Sequence, residues 1–249
     1  MPEFDSGGVP IHYEVFGEGR PIVLVHGFAS SLRGNWVDAS WVDTLAPYRK
    51  VVALDCRGHG ESGKPHDPDA YAGSAMTDDV THLMDHLGIE QTEICGYSMG
   101  GGITLRALLR HPQRFTRAVL GGVGDVQRRG GGRPNVREAL LADDPSTITD
   151  PIAKGFRVFA ERSGNDLRAL AAMQQSPRSP LERADLERIA VPVLIVVGED
   201  DRIAGSTGAL AEAIPGARLV TIPGREHLTV VPDQRFKDAV VQFLKEGST

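Results

Sequence analysis

The chain has 249 residues, and 27 Lys and Arg stand against 33 Asp and Glu, a formal net charge of −6. That balance argues against a nucleic-acid binder, while 41% apolar and 24% charged residues belong to a soluble globular protein of one large or two small domains, not to a disordered or collagen-like chain. The longest apolar run, Val191 to Val197, is interrupted by Pro192 and falls far short of the roughly 18–20 residues of a bilayer span.

The first residues, Met1-Pro2-Glu3-Phe4-Asp5, lack the basic and apolar regions of a signal peptide, so a cytoplasmic location is expected. Ile11 to Phe16 alternates like a half-exposed strand, and Pro21 to Val25 is a solid apolar run like a buried one. Further runs of strand length follow at Val51–Leu54, Thr92–Cys95, Ala118–Leu120, Val193–Val197 and Leu219–Ile222. Between them, Val80, Leu83, Met84 and Leu87 mark one face of a helix over 78–87 that ends near Gly88. Met99 to Arg110, rich in Gly, Ala and Leu, predicts a buried helix that stops before Pro112. Phe236, Val240, Val241 and Leu244 predict a last helix. Buried strands alternating with helices indicate a mostly parallel sheet covered on both faces.

Residues 125–190 break this rhythm, with helical patches at Ile152–Glu161 and Leu167–Met173 and no convincing strand. The segment opens on Arg128-Arg129-Gly130-Gly131-Gly132-Arg133-Pro134, a flexible entry. It is read as a helical cap inserted into a core made of 1–124 and 191–249. Two cysteines, Cys56 and Cys95, cannot build a disulfide framework.

The sharpest local signal is Gly96-Tyr97-Ser98-Met99-Gly100, lying between a strand and a helix. A serine on so tight a strand-to-helix turn presents its hydroxyl, and flanking glycines remove side chains that would clash across the bend. The helix start behind it directs free N–H groups toward developing negative charge. Serine needs a base, and eight histidines are available. His82 and His86 have metal-capable spacing, but no glutamate of a zinc-protease helix and no third ligand accompany them, so they read as a solvated helix face. His12 lies within a strand, His66 among prolines and His111 at a helix end. His227 instead follows the Leu219–Ile222 strand on a loop at its carboxyl edge, where open α/β sheets bind ligands. An orienting carboxylate is expected on a neighbouring loop, and Gly198-Glu199-Asp200-Asp201 supplies candidates.

Taken together, these strings resemble the α/β-hydrolase superfamily over essentially the whole chain apart from the inserted segment. His26-Gly27-Phe28 resembles the family's H-G-x turn, and Asp55-Cys56-Arg57-Gly58-His59-Gly60-Glu61-Ser62 its D-x-R-G-x-G-x-S loop. The order serine, acid, histidine is also the family's. Gly198 to Asp201 resembles G-x-x-D, which selects Asp201 as the acid over Asp200; Asp125 is the rival, because some members place the acid after the preceding strand. The resemblance implies an eight-stranded-type, doubly wound, mostly parallel sheet, and an oxyanion hole made by the backbone N–H groups of Met99 and Phe28. It also implies a strand order that puts Cys56 and Cys95 two sheet spacings apart, about 10 Å, beyond the roughly 7 Å a disulfide allows between Cα atoms.

Two decoys fall away. Gly58 to Gly63 matches a dinucleotide pattern, and Gly58 to Lys64 imitates the start of a P-loop. Phosphate binding there requires a helix to begin at once, and Lys64-Pro65-His66-Asp67-Pro68 cannot begin one; Pro65 also replaces the magnesium-binding Ser or Thr.

The activity implied is hydrolysis of a small carboxylic ester through an acyl-enzyme on Ser98, His227 and Asp201, with no cofactor and no metal. Enol-lactonases, C–C bond hydrolases and cofactor-free perhydrolases share the machinery, whereas dehalogenases and epoxide hydrolases of this fold use an aspartate where this chain has Ser98. A ligand receptor or binding module with an idle triad is the reading from another class. Phe28, Phe156, Phe159, Leu170 and Met173 are candidate pocket linings, with plain core packing as the alternative for each. The segment 128–133 is either a substrate-attracting patch or a solvated hinge.

Overall fold

The structure, a computed structural model, describes residues 2–125 and 133–246. The sheet has eight strands: β1 (Glu3–Ser6), β2 (Val9–Phe16), β3 (Pro21–Val25), β4 (Lys50–Leu54), β5 (Thr92–Tyr97), β6 (Phe115–Gly121), β7 (Val193–Gly198) and β8 (Arg218–Ile222). Their spatial order is β1-β2-β4-β3-β5-β6-β7-β8. β1 and β2 pair antiparallel, β2 joins β4 antiparallel, and every later pairing is parallel.

The continuous apolar runs are explained by burial on both faces. Along β3, Ile22 and Leu24 enter one core and Val23 and Val25 the other. Ile94 and Cys95 on β5 divide in the same way, as the two-residue period of a strand requires. Helices cover both faces: α1 (Trp41–Leu45), α2 (Ala75–His86), α3 (Met99–Arg110), α4 (Pro134–Leu141), α5 (Pro151–Arg162), α6 (Leu167–Gln175), α7 (Arg183–Leu186), α8 (Thr207–Ala213) and α9 (Gln234–Lys245). No helix among the described residues is long and apolar enough to cross a membrane.

β1 escapes a reading by hydrophobic period, because it has four residues of which only Phe4 is a large apolar side chain. Its signal is Gly7-Gly8, both at positive φ, closing a two-residue hairpin in which Ser6 pairs with Val9. β1 also changes the reading of His82 and His86. Both are exposed, yet His82 Nδ1 lies 2.9 Å from Ser6 Oγ, His86 Nε2 lies 3.1 Å from the Tyr13 hydroxyl, and the His86 ring stacks on Phe4. They tie α2 to the antiparallel edge. Among the described residues no group of three or more His, Cys, Asp or Glu side chains is placed to hold a metal ion.

Between β6 and β7 the described residues form α4 to α7 and no strand. Asp150 and Asp166 start α5 and α6 by accepting two backbone N–H groups each, Ile152 and Ala153 in one case and Arg168 and Ala169 in the other. α4 was not evident in the sequence; its Val136, Ala139 and Leu140 face inward. The segment meets the sheet above the carboxyl ends of the strands: Asn165 Nδ2 donates to Ala29 O at 2.8 Å, and the rings of Phe156 and Phe28 pack edge to face with centroids 5.6 Å apart.

Candidate active site

Ser98 joins β5 to α3 with φ +53° and ψ −109°, a region that L side chains seldom adopt and that marks a strained turn. The neighbouring glycines are steric requirements: a Cβ at Gly96 would collide with the backbone of Gly100, and one at Gly100 with the carbonyl of Val25. The serine N–H is anchored on Gly121 O at 2.7 Å, so the hydroxyl is set by the sheet itself.

His227 is carried by the loop after β8, and its Nε2 lies 2.9 Å from Ser98 Oγ. Its Nδ1 lies 2.7 Å from Asp201 Oδ2, while Asp201 Oδ1 accepts the N–H groups of Ile203 and Ala204 at 2.8 and 2.9 Å. Burial works to raise the Asp201 pKa, but the hydrogen bond and charge of His227, together with those two N–H groups, hold the carboxyl below its ordinary value. His227 is buried. The structure therefore brings Ser98, His227 and Asp201 into one hydrogen-bonded chain. Asp125 is engaged elsewhere, accepting the N–H of Ser206 at 2.8 Å, and Asp200 is exposed.

Tyr97, which precedes the serine in its turn, carries a role that its position in the motif does not reveal. Its hydroxyl donates to the carbonyl of His227, and its ring lies 5.3 Å from the imidazole. Burial, then the charge of Asp201, push its pKa well up, so it remains a donor.

Met99 opens α3, where a first-turn N–H has no intrahelical acceptor, and the N–H of Phe28 is paired with no described residue. The loop 26–30 that carries Phe28 is held from several sides. Gly27 N donates to Asn35 Oδ1 at 3.1 Å, Ala29 N to His59 Nε2 at 3.0 Å, and Cys56 N to His26 Nε2 at 3.0 Å. Ala29 takes a positive φ of 61°, so this loop is strained as the serine turn is. Burial lowers the pKa of His26 and, more strongly, of His59, where the nearby His26 adds to it. Both imidazoles are thereby kept neutral, able to accept an N–H at Nε2. Asn35, His59 and Asn165 are supporting residues that the sequence reading did not single out; for His59 the signal was its place in the Asp55–Ser62 loop.

A cavity of about 270 Å³ opens at Ser98, and Phe28, Phe156, Phe159, Leu228 and Val231 are among its linings. Leu170 and Met173 do not line it. Both are fully buried in α6, where Ala169 to Met173 are all buried and packing in the core uses up the apolar face. Of the 128–133 segment, residues 128–132 lie outside the described residues; Arg133 is half-buried and bonds to Ile203 O at 3.0 Å, on the loop of Asp201. Cys56 and Cys95 are free and buried, and burial pushes the Cys95 thiol up to about 12. Lys64 turns back on its own loop, donating to Gly60 O and Ser62 O, and no helix follows it before Pro68.

A family model described as the alpha/beta hydrolase fold matches residues 20–183. The chain is 31% identical to a 2-hydroxymuconate semialdehyde hydrolase of Pseudomonas putida over 93% of its own length and 89% of that protein. Among solved structures, the enol-lactonase from Burkholderia xenovorans LB400 superposes with a TM-score of 0.81 at 27% identity, covering 98% of this chain and all of that one, 100%. An esterase from Rhodococcus sp. ECU1013 gives 0.80 at 26% identity, with 98% of each chain covered.

Proposed function

We propose, for a chain that belongs to the α/β hydrolase fold family, that it is a serine hydrolase cleaving small carboxylic esters through a covalent acyl-enzyme. The observation that supports this most is the unbroken hydrogen-bond chain from Ser98 Oγ through His227 to Asp201, set at the mouth of an apolar cavity. Ser98 attacks the ester carbonyl while His227 Nε2 takes its proton. Asp201 keeps the other ring nitrogen protonated and stabilises the imidazolium, as the third member of a triad does. The tetrahedral oxyanion is met by the N–H groups of Met99 and Phe28. Removal of one such donor typically costs about 100- to 1000-fold in rate, which is why a loop braced by Asn35, His59 and Asn165 matters. His227 then protonates the leaving alcohol and activates water for deacylation.

The helical segment is assigned, on this reading, to a cap spanning 125–190 over a core of 1–124 and 191–249. Phe156 and Phe159 of α5 would close the acyl pocket above Ser98, with Phe28 on the facing wall. Enol-lactone opening or carbon–carbon cleavage by the same triad is the second reading, supported by the similarity to the Pseudomonas putida hydrolase and to the enol-lactonase. Turnover of short p-nitrophenyl esters, with Ser98-dependent labelling by a fluorophosphonate, tests the proposal. Labelling with turnover of lactones or dienol ketones but not esters would move the substrate to the second reading. Absence of labelling would leave a binding module.

A further inference from the structure

The loop that carries Asp201 is fastened to the chain between β6 and β7 at two places. Asp125 N donates to Ser206 O at 3.1 Å and Ser206 N donates back to Asp125 Oδ1 at 2.8 Å, while a Cβ on the preceding Gly124 would strike the backbone of residues 204–206. On the far side of 126–132, Arg133 reaches the same loop. Its Nη2 donates to Ile203 O at 3.0 Å, and its own backbone N–H is held by Gln174 Oε1 of α6 at 2.8 Å. Ile203 is also the residue whose N–H is taken by Asp201 Oδ1 at 2.8 Å. One residue therefore receives Arg133 at its carbonyl and supports the carboxylate through its amide.

Arg133 contributes charge as well. It is half-buried at the head of α4, within the fields of two carboxylates, Asp150 and Asp201, which oppose the burial that lowers its pKa. Asp150 already accepts the N–H groups of Ile152 and Ala153 and a bond from Asn135 Nδ2 at 2.7 Å. The Asp201 side chain is fully buried. It is bonded to His227 from the loop after β8, and its charge reaches Tyr97 at the end of β5. Of the other charged groups around the loop, Arg225 pairs with Asp233, and Glu199, Asp200, Arg202 and Glu226 are exposed.

From this geometry we propose that Arg133 is a positioning residue for the triad: it holds the Ile203 carbonyl from the helical segment and sets a positive charge near Asp201, keeping the carboxylate aligned on His227. The catalytic consequence rests on the serine-hydrolase reading; the contact itself does not. A misplacement of about 1 Å arising far from the reacting atoms can cost about 100-fold in rate, and a nearby cation favours an ionised carboxylate over a protonated triad. Loss of that charge makes the protonated, inactive triad easier to form, so the acid limb of the rate profile rises in pH.

The test uses the full chain and two kinds of readout. Arg133→Ala should lower kcat on a p-nitrophenyl ester about tenfold with KM less affected. Arg133→Gln, which can still donate to Ile203 O and keeps the test open should the alanine variant fail to fold, should retain much of the rate but move the acid limb of kcat/KM up by about 0.3–0.5 pH unit at low ionic strength, and less in high salt. Arg133→Lys should return the limb to its wild-type position, and Arg168→Gln, an equal loss of charge at an exposed position of α6, should leave rate and limb alone. The proton NMR line of the His227 ring N–H that faces Asp201 should shift or exchange faster in Arg133→Ala. That line reads the coupling without turnover, so a wild-type chain inert to esters and to fluorophosphonate removes the hydrolase reading while the line decides the part played by Arg133. Wild-type kcat, acid limb and ring-proton line in Arg133→Ala and Arg133→Gln overturn the proposal, and so does a lowered melting temperature with limb and line unmoved.

Discussion

His59 Nε2 accepts the backbone N–H of Ala29 at 3.0 Å, linking the Asp55–Ser62 loop to the loop that carries Phe28. The ring can do so only while neutral, and it donates its own Nδ1 proton toward Arg57 O at 3.1 Å. Replacing it by alanine leaves the Ala29 N–H without its acceptor and frees a loop held at positive φ. On the proposed mechanism, His59→Ala should lower kcat by about 10- to 100-fold with a smaller change in KM, because the displaced group is an oxyanion donor. Steady-state kinetics beside a thermal melt separate this from simple destabilisation, expected at about 1–3 kcal/mol for a buried unsatisfied donor.

Stability should fall on mild acidification. His26 and His59 have folded pKa values below their ordinary 6.5, so the unfolded chain binds protons that the folded chain refuses. The stability they contribute is full above about pH 6.5 and drains as pH falls below it, at up to about 1.4 kcal/mol per pH unit for each histidine. Asp201, also lowered, adds its loss only below the carboxylate value of 3.8. Urea unfolding at pH 7.5 and 5.5 should show the decline, and His59→Gln should make it shallower. Equal stability at the two pH values would contradict a buried neutral pair.

The triad variants should act as a unit. Ser98→Ala and His227→Ala should each reduce kcat by roughly 10⁴-fold or more. Asp201→Asn should be severe, and Asp125→Asn mild, since Asp125 bonds to Ser206 and not to His227. Kinetics of the four variants on one p-nitrophenyl ester decide this, and wild-type rates in Ser98→Ala would refute the nucleophile.

Leu170 and Phe156 should separate core from pocket. Leu170 is fully buried in α6, so Leu170→Ala should cost about 2–5 kcal/mol of stability with little change in ester preference. Phe156 lines the cavity at Ser98, so Phe156→Ala should shift KM across a series of acyl lengths with a smaller loss of stability. The reverse pattern would exchange the two assignments.

The linear chain already carried the α/β alternation, the serine turn at 96–100, the helix after it and the loops holding Asp201 and His227. These features are local: two-residue periods, steric demands for glycine and helix stops before proline all act within a few residues. The four-residue β1, with one large apolar side chain, left too little period to read, and α4 lay beyond the entry glycines. Contacts between distant segments were a different matter. That Asp201 and not Asp125 reaches His227, that Tyr97 holds the His227 carbonyl, that Asn165 reaches Ala29, and that Leu170 and Met173 turn into the core while Phe156 turns to the cavity are all outcomes of how helices settle on the sheet. Packing of side chains separated by tens to more than a hundred positions depends on the shapes and volumes of both partners at once, and no short window of residues holds that information.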